Sequence, residues 1–355
     1  MAIGERLKMA RKMARMSQQA LGDAAGVSRM AISKYERDEM DPSSSVLIAL
    51  ARALGVKVEY LLRPVGVEVS VPAFRKRTSL SKRAEDAIVE RVRDWLDRYL
   101  AIEDLLETRQ TFSWPKLDRR ISSVDGAEDV AMALREAWGL GYDAIDNLAE
   151  ILEQHGIKVG VVEGDNDFDA LTLWANDDSP IIVVKHGVPG DRQRLNMAHE
   201  LGHILLEMPD HWSPKDEKSA AYRFAGALLM PASNVRRELG PHRDKLDFYE
   251  LHLLKHVYGL SMQAIVRRAK DLEIISAGAY EQLSREFSQK GWRRREPGDQ
   301  IEPERPERMK RLVLRALAEE IITRSRASEL LECSLAEFWE TERQHHNDIS
   351  ELVHP

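Results

Sequence analysis

Apolar residues recur at helical spacing along most of the chain, and the pattern changes to continuous β-rich runs in one region only. Between residues 1 and 62 the repeat is short and often interrupted. It predicts five helices, over 3–15, 17–24, 28–37, 43–54 and 57–62. A basic stretch with two prolines follows, "RPVGVEVSVPAFRKRTSLS", and reads as a linker with some extended structure. From Ser81 to about Thr108 a charged segment carries Ile88, Val92, Trp95, Leu96, Tyr99, Ile102, Leu105 and Leu106 at helical spacing. That is one buried stripe of a long helix, with dimerisation or domain coupling as its sharper use. Helices are predicted over 126–138 and 143–155. "GIKVGVVEG", "FDALTLWAN" and "SPIIVVKHG" then give three β-rich runs broken by Asp, Asn and Gly, a small meander. Helical spacing returns in the segment holding "NMAHELGHILLE" and at 215–229, 245–258, 261–272 and 276–288. "WRRREPGDQIEPERPER" reads as a second linker, and helices over 308–325 and 326–345 close the pattern. The chain is therefore expected to be mainly α with a small β-meander. Its parts are 1–64, a linker and long helix over 65–125, a third part over 126–290, and a linker with a small helical C-terminal region over 291–355.

At 355 residues the chain is too long for one ordinary domain. No apolar run approaches the roughly 18 residues of a membrane span. The N-terminus carries charges where a signal peptide has its apolar core, so a cytoplasmic protein with no membrane partner is expected. A single cysteine, Cys333, excludes an intrachain disulfide and a Cys-rich zinc site, so any metal must be held by histidine and carboxylate. The net charge of −7 hides an asymmetry, because residues 1–64 hold 11 Lys/Arg against 7 Asp/Glu. The basic N-terminal part is the expected partner of nucleic acid.

"MSQQALGDAAGVSRMAISKYERDEMDPS" has the rhythm of two helices joined by a tight turn. Ser17 and Ser28 can cap the two helices, Gly26 stands where the turn favours positive φ, and Leu21, Val27 and Ile32 are spaced to share a core. Residues 6–62 resemble the Cro/C1-type (Xre) repressor domain in phase throughout. The resemblance implies a five-helix fold that reads a double-stranded operator as a homodimer. Gln18 would approach phosphate or a base edge. Ser28, Arg29, Met30, Ala31 and Lys34 would lie along the major groove, and Arg11 with Glu36 would form a scaffold ion pair.

"NMAHELGHILLE" places His199 and His203 four residues apart on a helix, with Glu200 beside the first. Residues i and i+4 share a face about 6 Å apart, so both imidazoles can reach one ion. This is the H-E-x-x-H pattern, in which zinc lowers the pKa of a bound water towards about 7 and a glutamate, here Glu200, takes its proton. Together with "EKSAAYRFAGALLMP" downstream, the motif resembles the ImmA/IrrE metallo-endopeptidases over roughly residues 80–290. That resemblance implies an α+β, zincin-like domain using zinc or manganese, with His199 and His203 as ligands, Glu200 as base and a carboxylate before "FAGALLMP". The family's usual glutamate falls where this chain has Lys218 and Ala220. On a helix over 215–229, residues 217, 220, 221, 224 and 228 share the core-facing side, so Glu217 is the expected third ligand. Asp216 points to solvent, and Glu207 lies one turn too far along. The remaining histidines, among them His252 and His256, are read as surface or hydrogen-bonded residues without ligand spacing.

The expected function is a DNA-binding regulator with a zinc-dependent endopeptidase domain. It would cleave a repressor or other regulatory protein in phage, mobile-element, toxin–antitoxin or stress control. The alternative is a non-proteolytic repressor or antitoxin whose metal domain senses a signal or binds a partner.

Overall fold

After α1 (Gly4–Met13), three serine side chains start three helices. Ser17, Ser28 and Ser43 each accept a hydrogen bond from the backbone N–H three residues on, opening α2 (Gln18–Ala25), α3 (Arg29–Glu36) and α4 (Ser44–Leu54). Gly26, at φ 72°, makes the turn between α2 and α3. α5 (Val58–Leu62) completes the set, and Leu7, Leu21, Ile32, Leu50 and Leu61 form its core without exposure. All five helices start and end within two residues of the expected bounds. This computed structural model describes residues 3–63, 65–70, 81–163, 168–176, 178–340 and 343. Residues 71–80 of the predicted linker and the end of the last predicted helix lie outside them, as do His345, His346 and His354.

The chain divides into two compact units. The first combines the five helices with residues 81–111 and the C-terminal region from Pro306. Its spine is α6 (Lys82–Leu105). One face of α6 meets α1 through charges. Arg6, 2% exposed, reaches Asp94 at 3.2 Å and Asp97 at 2.7 Å, and Lys12 reaches Glu90 at 2.9 Å. Another face buries Tyr99, Ile102 and Leu106 against Met309, Val313 and Ala316 of the helix Arg308–Ala318. Arg98 donates to the Leu330 carbonyl at 2.8 Å and so secures the helix Arg324–Leu330. The long helix is therefore structural rather than part of a linker. The predicted stripe was correct for its apolar contact, but Leu105 is exposed, and the contact with α1 rests on charges that an apolar pattern does not register.

The second unit holds α7 (Ala127–Ala137), α8 (Leu148–Gln154), β1 (Lys158–Val162), β2 (Ala170–Ala175) and β3 (Ser179–Lys185). It continues with α9 (Gly190–Leu205), α10 (Pro214–Leu229), α11 (Ala232–Leu239), α12 (Phe248–Tyr258), α13 (Met262–Asp271) and α14 (Ala277–Gln289). The three strands are present, but not as a meander. β3 is central, antiparallel to β2 (Leu173 opposite Ile181) and parallel to β1 (Val159 opposite Ile182). Residues Ile181 to Val184 are buried along the whole central strand, which explains its unbroken apolar run. No helix among the described residues is long and apolar enough to cross a membrane.

Residues 291–305 correct the second predicted linker. The segment is a strap tied to the base of α9. Gly190 N–H donates to the Ile301 carbonyl (2.8 Å), Glu304 N–H to the Gln193 side chain (2.7 Å), and Ala149 N–H to the Glu304 carboxylate (2.7 Å). Arg194 pairs with the same carboxylate. The approach is close enough to require glycine, since a Cβ at Gly190 would lie 2.3 Å from the Glu302 carbonyl oxygen. Lys255, fully buried in α12, is 2.8 Å from Asp191 and 3.1 Å from Glu296. Glu296 also accepts from the first N–H groups of α13, Met262 at 2.9 Å and Gln263 at 3.0 Å.

Candidate functional site

The first candidate surface is the outer face of α3. Ile32 and Tyr35 anchor the helix in the core, which turns Arg29, Met30 and Lys34 outward, and Met30 is 69% exposed. Ala31 is half-buried between them. The Ser28 hydroxyl is occupied by the cap, accepting from Ala31 N–H at 3.1 Å. Gln18 differs from expectation. Its side-chain amide donates to Glu36 at 2.8 Å, and Glu36 also takes two bonds from Arg11, at 2.5 and 3.0 Å. Gln18 is thus tied into the scaffold pair that braces α1 against α3.

The second candidate site is on α9, which is buried along almost its whole length. Helix α10 crosses it at small residues. A Cβ at Gly202 would lie 3.2 Å from the Ala221 Cα, so the backbones approach closely. His199 and His203 converge, with their Nε2 atoms 3.2 Å apart and their rings edge to face. That spacing suits two corners of a tetrahedral ion held at roughly 2.0–2.1 Å. Glu200, 2% exposed, accepts a hydrogen bond from the Thr172 hydroxyl of β2 at 2.8 Å. Thr172 fixes the carboxylate's orientation. Its only sequence signal is a hydroxyl between Leu171 and Leu173 in a buried strand.

Glu217 was the expected third ligand. Among the described residues, no three His, Cys, Asp or Glu side chains form a group that could hold a metal ion. The side chain of α10 that meets His199 is Tyr222, its ring 4.0 Å away between centroids. Glu217 is turned roughly 140° around the helix from Tyr222. The residue one turn before Tyr222 is Lys218, whose ammonium lies 5.9 Å from the tyrosine ring. Asp216 is taken up in a capping box with Ser213, whose bonds hold its carboxyl below the usual range. Glu207 pairs with Arg119 at 2.5 Å. A catalytic zinc needs three protein ligands and an open position. Two histidines against a tyrosine supply two of those ligands, and the turn of α10 before Tyr222 offers a lysine rather than a carboxylate. A cavity of about 380 Å³ includes Tyr222, Leu195, Ser219, Leu260, Ala264 and Arg267 in its lining. Its arginines are matched, Arg267 by Asp271 and Arg268 by Glu128.

Comparison with known proteins picks out two segments of the chain. The helix-turn-helix family model matches residues 7–61, and the IrrE N-terminal-like domain model matches residues 152–270. The repressor protein C2 of Salmonella phage P22 is 44% identical over 61 residues, which is 17% of this chain. The immunity repressor protein of Bacillus phage phi105 is 32% identical over 94 residues, 26% of this chain. The chain spans 28% and 62% of these two relatives' lengths. A crystal structure of the P22 c2 repressor protein with a synthetic operator is 44% identical, covering 17% of this chain and 89% of that one, with a TM-score of 0.16. Residues 7–61 therefore form a helix-turn-helix region and residues 152–270 an IrrE N-terminal-like domain.

Proposed function

We propose that this protein is a DNA-binding transcriptional regulator that acts on an operator as a dimer, and that its IrrE N-terminal-like domain regulates without hydrolysing peptides. The DNA reading rests on the exposed face of α3, which carries two cations on a helix otherwise anchored by Ile32 and Tyr35. The similarity to phage repressors supports it. Arg29→Ala is expected to weaken operator binding by about 1–3 kcal/mol, the worth of one good base contact. Fluorescence anisotropy on an operator selected from random sequence measures this, and unchanged affinity for operator and for competitor DNA would refute the assignment.

Lys218 carries the second half of the proposal. It stands one helical turn from Tyr222, on the side of α10 that meets His199, and puts a cation where a carboxylate could otherwise approach the pair. The competing reading, an active zinc endopeptidase, draws on Glu200, which a non-hydrolytic domain does not require. A gel separates the two. The full-length protein is incubated with zinc or manganese and candidate repressors, beside a Glu200→Gln variant. Identical lanes are expected. Fragments produced by the wild type and missing from Glu200→Gln would establish the peptidase.

A further inference from the structure

The C-terminal region repeats the geometry of the helix-turn-helix. It holds α15 (Arg308–Ala318), α16 (Arg324–Leu330) and a further helix, α17, over residues 335–340. Thr323, Glu332 and Ser334 follow one another at the spacing of Ser17, Gly26 and Ser28, and each does what its counterpart does. The Thr323 and Ser334 hydroxyls accept from the backbone N–H three residues on, at 3.2 and 3.1 Å, as Ser17 and Ser28 do at 3.0 and 3.1 Å. Glu332 makes the left-handed turn at φ 56°, where Gly26 has 72°. The same backbone bond closes both turns. Cys333 N–H donates to the Ser328 carbonyl at 3.0 Å, and Val27 N–H to the Gly22 carbonyl at 2.9 Å. Ala327 and Phe338 are buried at the places of Leu21 and Ile32.

Phe338 anchors α17 as Ile32 anchors α3, which turns Leu335, Ala336, Trp339 and Glu340 outward. Leu335 and Trp339 are 44% and 43% exposed, and the Arg324 guanidinium lies 4.7 Å from the centre of the Trp339 ring. Residues 308–340 carry six Lys/Arg and six Asp/Glu, so phosphate attraction alone is weak here. The exposed face of α17 offers base-edge chemistry instead. An apolar side chain such as Leu335 suits the thymine methyl, and a glutamate such as Glu340 accepts from the cytosine amino group. Arg324 opens the helix that crosses the DNA backbone in this motif, where a cation meets phosphate. Glu337 is committed to the cap, its carboxylate accepting from Ser334 N–H at 2.7 Å. Placement adds to this. Arg63, beside the end of α5, reaches Glu329 of α16 at 3.5 Å, and both motifs belong to the first unit. A second reader tethered so closely acts at high effective concentration.

We infer that residues 308–340 form a second DNA-reading helix-turn-helix, with α17 in the major groove. Its base preference differs from that of α3, because Leu335 and Glu340 stand where α3 has Arg29 and Lys34. α17 has this role whether or not α3 reads DNA, so the experiment disables α3 first.

The full-length Arg29→Ala, Lys34→Ala variant is used to select binders from random-sequence duplex DNA at low salt. One enriched sequence is expected, different from the sequence that the wild type selects. In that background Glu340→Gln should raise the dissociation constant for the enriched duplex about 5-fold or more, the worth of one base contact. Arg324→Gln should weaken binding to all sequences alike, as loss of a phosphate contact does. Every substituted side chain is exposed, so the fold is kept. Three results overturn the inference: no enriched sequence, an enriched duplex bound equally well after Glu340→Gln, or a Trp339→Ser variant whose sedimentation mass changes while its DNA binding does not. The last would make α17 a protein contact. Loss of wild-type operator binding with Arg29→Ala alone bears on α3 and leaves α17 untouched.

Discussion

Lys255→Met lowers the stability of the second unit by about 3–5 kcal/mol, the usual cost of removing one member of a buried ion group. The side chain has no exposure, and both its partners, Asp191 and Glu296, are at least 94% buried. Methionine keeps the length and removes the charge, so two buried carboxylates remain without the cation between them. Urea unfolding of full-length wild type and variant measures the loss. Burial pushes the Lys255 pKa down, but Asp191 and Glu296 outweigh it and hold the pKa above the ordinary lysine range. A raised lysine pKa contributes stability that is complete below the unfolded value of about 10.4 and is lost as pH rises through the folded value. The difference between wild type and variant should therefore stay constant from neutral pH to about pH 9 and shrink only above 10. A difference that vanishes by pH 8 would show that the ion group contributes nothing.

Lys218→Glu converts the histidine pair on α9 into a three-ligand set. The substitution removes a cation from the side of α10 that meets His199 and puts a carboxylate in its place. Zinc affinity at this site should rise by at least the roughly 10–100-fold that an outer-shell partner is worth. Isothermal titration of wild type and variant with zinc measures the difference. Glu217→Ala, by contrast, should leave zinc affinity as it is. Sensitivity at 217 combined with indifference at 218 would mean that the phase of α10 argued above is wrong by one residue.

Local features were legible in the sequence where the physics is local. Ser17, Ser28 and Gly26 announce caps and a turn within a few residues of themselves, and the structure has each of them in that role. The Arg11–Glu36 pair was likewise foreseen. The contact of Tyr222 with His199 was not legible: the core-facing stripe of α10, through Ala221 and Phe224, packs on Gly202 of α9, and this contact between helices, which neither segment reveals alone, brings the neighbouring Tyr222 to the histidine. The order of the sheet depends on which strand pairs with which, and the alternation within "GIKVGVVEG" carries no such information. Residues 291–305 look like a linker because their prolines and charges match one in composition. In the folded chain two of those charges, Glu304 and Glu296, are spent on Arg194 and Lys255, and backbone groups of the segment on Gly190 and Gln193.

The first unit takes its parts from both ends of the chain, and this constrains its folding in time. Tyr99 and Ile102 on α6 are covered by Val313 and Ala316, more than two hundred residues later. During synthesis at about 5–20 residues per second, α6 waits on the order of ten to forty seconds for that cover. The second unit, whose last residue is Arg305, can close meanwhile. A chain released early, before residue 306, would hold every residue of the IrrE N-terminal-like domain and of the helix-turn-helix, yet it would leave the apolar side of α6 bare. Such a product is a candidate for chaperone capture or aggregation despite having lost neither recognisable domain.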